Sequence, residues 1–120
     1  MNKIVLPNGA DYRIKKDKFQ KSRGRPKILH IKCSKCHSLV LIYQKDGPGP
    51  LLRCYLDRIA WPTSFSLLNT PSVSIKDLQP IKCTECASLL GSPFIYLQEN
   101  RLAYNMKQGT FEKEIIKLSS

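Results

Sequence analysis

The sequence is short of acid, of histidine and of long apolar runs. Nine Asp and Glu face twenty Lys and Arg in 120 residues, a formal net charge of +11. The longest apolar run, Leu39 to Tyr43, is far below the ~18 residues that a membrane span needs. The first ten residues, MNKIVLPNGA, offer too short an apolar stretch for a signal-peptide core. A cytoplasmic protein with no membrane association is therefore expected. Two histidines leave little for acid–base or nucleophilic chemistry. No Ser-His-Asp ordering, phosphate-cradling Gly loop or carboxylate pair stands out, so the expectation is a protein that is not an enzyme. One Trp, five Tyr and four Phe make no evident platform for stacking bases. At this length one modest core is expected, burying roughly 65% of the unfolded surface.

The positive charge is unevenly placed. Residues 1–35 carry eleven basic and two acidic residues, a net +9, whereas residues 36–120 carry a net +2. This predicts a basic N-terminal arm over 1–26, extended or flexible in part, ahead of a nearly neutral domain over 27–120. A local excess of this kind attracts polyanions, either nucleic acid or an acidic protein surface.

Five cysteines are present, and four form two Cys-x-x-Cys pairs: Cys33 with Cys36, and Cys83 with Cys86. An odd count argues against a closed disulfide framework. In a reducing compartment, paired cysteines read as metal ligands or redox centres. Four thiolates suit zinc, and a two-residue spacer lets one tight turn present two sulfurs to one ion. The pairs lie 46 residues apart, so two remote turns must meet. They read alike: IKCSKCHSLV and IKCTECASLL align at an offset of fifty, with Ser38 matching Ser88 and Leu39 matching Leu89. This short internal repeat predicts two facing turns around one ion.

On these residues the chain resembles the zinc-ribbon proteins, in which two Cys-x-x-Cys knuckles on β-hairpins clamp one zinc. The resemblance covers about a third of the chain. It implies Cys33, Cys36, Cys83 and Cys86 as ligands of one zinc ion per chain. It also implies an α+β, β-rich fold with two knuckle hairpins. Such knuckles often place Gly after the second Cys, where φ is positive; here His37 and Ala87 stand there, and Ala tolerates that region poorly. Rubredoxin-like iron, haem attachment through CSKCH and a dithiol redox pair are the competing readings of the same cysteines. Cys54, among Leu and Tyr, reads as a small buried hydrophobe.

Between the knuckles, DGPGP at 46–50 is a firm break. Leu51, Leu52, Tyr55, Leu56 and Ile59 then recur at helical spacing, which predicts one inserted helix over about 50–60. Residues 62–80 read as a loop with a turn near Ser74 to Leu78, where Ser74 caps and Asp77 reaches back. The segments PFIYLQ and RLAYNM read as strands, and TFEKEIIKL as a last strand or a short helix, with strand preferred because it continues the meander. In the arm, KSRGRPK resembles the core of an AT-hook. That likeness implies Arg23 and Arg25 as minor-groove readers and Lys21 and Lys27 as phosphate contacts, hence DNA more than RNA. The leading expectation is a non-enzymatic zinc protein that contacts nucleic acid; a protein-interaction adaptor with a zinc-stabilised core is the alternative.

Overall fold

Pro26 opens an eight-residue strand, and the alternation that follows it sets up the first sheet. The computed structural model describes residues 3–118. A hairpin of β1 (Lys3–Val5) and β2 (Asp11–Arg13) is followed by a short helix, α1 (Lys18–Arg23). Then come β3 (Pro26–Cys33), β4 (Leu39–Asp46), β5 (Arg53–Tyr55), β6 (Ile59–Trp61) and a second short helix, α2 (Thr63–Leu68). The chain closes with β7 (Ile81–Lys82), β8 (Leu89–Tyr96), β9 (Arg101–Met106) and β10 (Phe111–Ile116). Two antiparallel four-stranded sheets result, in the orders β10-β3-β4-β6 and β5-β9-β8-β7. Among the described residues, no helix is long and apolar enough to cross a membrane.

The main core draws Leu29, Ile31, Leu41 and Tyr43 from the first sheet and Cys54, Leu90, Tyr104 and Met106 from the second. The other face of the first sheet is also covered. Ile28, Ile42 and Ala60 meet Ile4, Leu6 and Ile14 in a second cluster. Strands buried on both faces read as continuous apolar runs, and LVLIY in β4 is such a run.

The arm differs from its sequence reading. Residues 3–25 contain a paired hairpin and a helix, and the segment is pinned to the domain. Gln44 is fully buried. Its Oε1 accepts from Tyr12 Oη and the Lys15 amide, both at 2.8 Å, and its Nε2 donates to the Lys15 carbonyl at 2.9 Å. Asp17 caps α1, accepting from the amides of Phe19 and Gln20. Gly47 then lets the chain pass closely: its φ is +80°, and an added Cβ would lie 2.3 Å from the Arg23 carbonyl oxygen.

The inserted helix over 50–60 is not formed. Arg53–Tyr55 pairs with β9 in the second sheet, residues 56–58 make one 3-10 turn, and Ile59–Trp61 pairs with β4 in the first. The segment crosses from one sheet to the other, so both ends bury apolar side chains. The helical spacing of those residues is incidental to this crossing. The turn at Ile75–Asp77 has the expected capping box with Ser74. Helix α2 forms within the segment read as loop, where Phe65 packs edge-on against Tyr104 with ring centroids 5.7 Å apart. The last segment is a strand, as expected, paired along β3.

Candidate metal centre

Each Cys-x-x-Cys pair sits in the turn between two paired strands, β3 to β4 and β7 to β8. The two turns match bond for bond. The His37 amide donates to the Cys33 carbonyl and the Ala87 amide to the Cys83 carbonyl, both at 2.8 Å. The Cys33 amide donates to the Ser38 carbonyl and the Cys83 amide to the Ser88 carbonyl, both at 2.9 Å. Each hairpin has an irregularity in register at the same place, between Ile31 and Lys32 and between Ile81 and Lys82. The residue after the second cysteine has positive φ in both: 63° at His37 and 64° at Ala87. The sequence departure at Ala87 therefore leaves the turn unchanged and places a Cβ in the left-handed region.

The four sulfurs lie within 4.8 Å of one another. Cys33 Sγ is 3.5 Å from Cys86 Sγ, and Cys36 Sγ is 3.4 Å from Cys83 Sγ. These gaps exceed the ~2.05 Å of a disulfide. A tetrahedron with metal–sulfur bonds of ~2.3 Å has edges of about 3.8 Å, so the four thiolates are positioned to hold a single metal ion. Cys33 and Cys83 are buried, and Cys36 and Cys86 are exposed, so the site is half sunk in the core.

The surroundings favour thiolates. Amides of Cys36 and Lys35 pull the Cys33 thiol below its ordinary value. The Ser38 hydroxyl and amide do the same for Cys36, and Ser88 does so for Cys86. The hydroxyls lie 3.3 Å and 3.1 Å from their sulfurs, which gives the repeated serine its role as a support for the outer ligand. Cys83 stands apart, because burial pushes its thiol up to about 11. Metal binding must displace that proton.

His37 does not join the cluster; its Nδ1 lies 2.9 Å from Glu112 Oε1. Cys54 is wholly buried, and desolvation raises its thiol well above the ordinary value.

The four residues assigned to DNA contact separate. Lys21 and Arg23 close α1, Arg25 is exposed in the link after it, and Lys27 lies in β3. Arg23 is engaged within the protein. Its Nη2 donates to Glu99 at 2.6 Å and to Tyr55 Oη at 2.8 Å. An extended Arg-Gly-Arg-Pro strip is therefore not presented, because the first arginine ends a helix and the proline begins a strand.

A second set of matched residues was not singled out from sequence. Arg58-Ile59-Ala60-Trp61 enters β6, and Arg101-Leu102-Ala103-Tyr104 enters β9. Each follows a knuckle hairpin and pairs with its returning strand. Both arginines are buried, at 1% and 6% exposure. Arg58 donates to Asp46 at 2.8 Å and to Asp17 at 2.6 Å; Arg101 donates to Asp57 at 2.6 Å and to Glu99 at 3.0 Å. The repeated Arg-apolar-Ala-aromatic tetrad was the signal available in the chain.

Comparison with protein families, curated proteins and solved structures found no match. The functional reading rests on the site itself.

Proposed function

We propose that the chain is a non-enzymatic, zinc-ribbon-like protein in which Cys33, Cys36, Cys83 and Cys86 hold one structural zinc ion, and that its basic N-terminal region contacts nucleic acid. The observation that carries the metal reading is the pair of matching turns that bring four sulfurs within 4.8 Å of one another. A closed shell of four thiolates leaves no position for water or substrate, which is the pattern of a structural zinc. Burial of Cys54 supports the non-enzymatic part, since a nucleophilic thiol needs access and a lowered pKa.

The nucleic-acid reading moves from a groove-reading hook to a charged surface. Arg13, Lys15, Lys16, Lys18, Lys21, Arg25 and Lys35 are exposed. The two acids of the first 35 residues are spent: Asp11 pairs with Lys3 at 3.2 Å and Asp17 with Arg58. Contacts of this kind are made to phosphates and carry little sequence preference. Fluorescence anisotropy of the metal-loaded protein with random and A·T-rich duplexes over a salt series tests this. Binding that weakens steeply with salt and ignores base composition is expected; no binding at low salt overturns it.

An adaptor role is the second reading. It is favoured by Leu67 and Leu97, which are 77% and 82% exposed. Capture of a partner that survives nuclease treatment would select it.

A further inference from the structure

Beside the charge network lies a cleft of about 220 Å³, bounded by the DGPGP loop, β5 and the end of α1. Arg23, Lys45 and Arg53 line it, together with Tyr55 and Leu51. Arg23 has an acid partner in Glu99 at 2.6 Å, but among the described residues Lys45 and Arg53 have none. Lys45 is only 8% exposed. Its Nζ donates to the Gly47 carbonyl at 2.8 Å, which uses one of three protons. Lys27 stands directly opposite Lys45 in the β3–β4 ladder, and like charges so placed repel. Lys113, opposite Ile31 on β10, shares that face by strand alternation. Burial lowers the Lys45 ammonium pKa, and Lys27 and Lys113 lower it further.

Arginine donors are also left over. Arg23 Nη1 is buried with no hydrogen-bond partner among the described residues, although Nη2 is used twice. Arg53 donates through Nε to Tyr55 Oη at 2.8 Å, and its guanidinium lies 4.0 Å from the Tyr96 ring centroid. The acid lining the cleft, Asp46, is committed to Arg58 and Gln44 at 2.8 Å each. A buried ammonium without an anion and a buried guanidinium nitrogen without an acceptor are costly.

We propose that this cleft binds a phosphate group, whose charge and acceptor oxygens satisfy Lys45, Arg23 and Arg53. Several converging donors and a surplus of positive charge suit a dianion with three free oxygens better than a carboxylate. The phosphate is either that of a free phosphomonoester or the terminal phosphate of an oligonucleotide. Where the phosphate is an oligonucleotide's, the proposal rests on the nucleic-acid reading above and shares Arg23 with it; a free phosphomonoester does not need that reading, because Lys45 and Arg53 lie outside the basic N-terminal region.

The test is thermal unfolding of the metal-loaded, full-length protein with increasing inorganic phosphate, against sodium chloride of equal ionic strength. A saturable rise in Tm specific to phosphate is expected. Arg53→Gln, at a half-buried position lining the cleft, should weaken the apparent affinity about tenfold, the loss of one charge-assisted bond. Lys45→Met should abolish the response while keeping or raising the Tm in chloride, because it removes a buried charge that faces Lys27. A nucleoside monophosphate, and oligonucleotides with and without a 5′-phosphate, distinguish the two sources. Dependence on the terminal phosphate supports the site in either case. An equal response to chloride, an unchanged response in both variants, or a response to polymer alone overturns the proposal.

Discussion

The two knuckle hairpins carry nearly identical turns on unequal scaffolds. The first rises from the eight-residue β3 and returns in β4, which is buried on both faces. The second rises from the two-residue β7 and returns in β8, whose outer positions Leu89 and Ile95 are exposed. The N-terminal hairpin covers the outer face of the first sheet through Ile4, Leu6 and Ile14. The turns nevertheless agree in every backbone bond described above. The geometry that presents two sulfurs is thus a local property of the sequence IKCxxCxSL, and the depth of burial is set by what the rest of the chain lays over it.

The largest expected effect comes from the metal. Cys33→Ser and Cys83→Ser should each abolish cooperative unfolding around the knuckles, because structural sites of this type contribute on the order of 10–16 kcal/mol. Equal losses by circular dichroism are expected despite the unequal scaffolds. A variant of the first hairpin that stays folded when its counterpart does not would show that scaffold, not metal, holds that half.

The buried arginines rank next. Arg58→Met leaves Asp46 unpaired with its side chain 4% exposed, and a loss of about 3–5 kcal/mol is expected in denaturant unfolding. Arg101→Met should cost less, since Asp57 and Glu99 are 28% and 21% exposed. A reversed order would break the correspondence between the two tetrads.

Smaller still is the effect at the positive-φ residues. Ala87→Gly should stabilise by about 1 kcal/mol, because the left-handed conformation burdens any Cβ. His37→Gly should gain less, since it also removes the contact with Glu112.

The smallest effect is a pH dependence. Burial opposes ionisation of Asp17, but the Arg58 guanidinium and the amides of Gln20 and Phe19 outweigh it and hold the carboxyl down at about 2. Its folded value lies below the unfolded one, so its contribution is present above pH ~4 and lost as pH falls towards 2. Asp17→Asn should flatten the acid limb of a stability–pH curve in that window.

The cysteine set and the serine behind each outer ligand were legible because their chemistry is local and repeated. The path from Leu51 to Ala60 was not. Its strands take partners in different sheets, Cys54 beside Tyr104 and Tyr43 beside Ile59, and no periodicity inside the segment encodes that. The arm misled for a related reason. Its charge marked it as an arm extended or flexible in part, but Arg23 finds Glu99, 76 residues away, and Lys15 reaches the Asp57 carbonyl at 2.7 Å. Ile4, Leu6 and Ile14 carried the docking signal, spaced too widely to form a pattern of their own.

Elemental analysis of the purified chain, paired with native mass spectrometry, tests the central claim most directly. One zinc ion per chain, lost together with the folded signal on chelation, is the expected result. Iron in place of zinc, or a metal-free chain that unfolds at the same temperature with and without chelator, would contradict it.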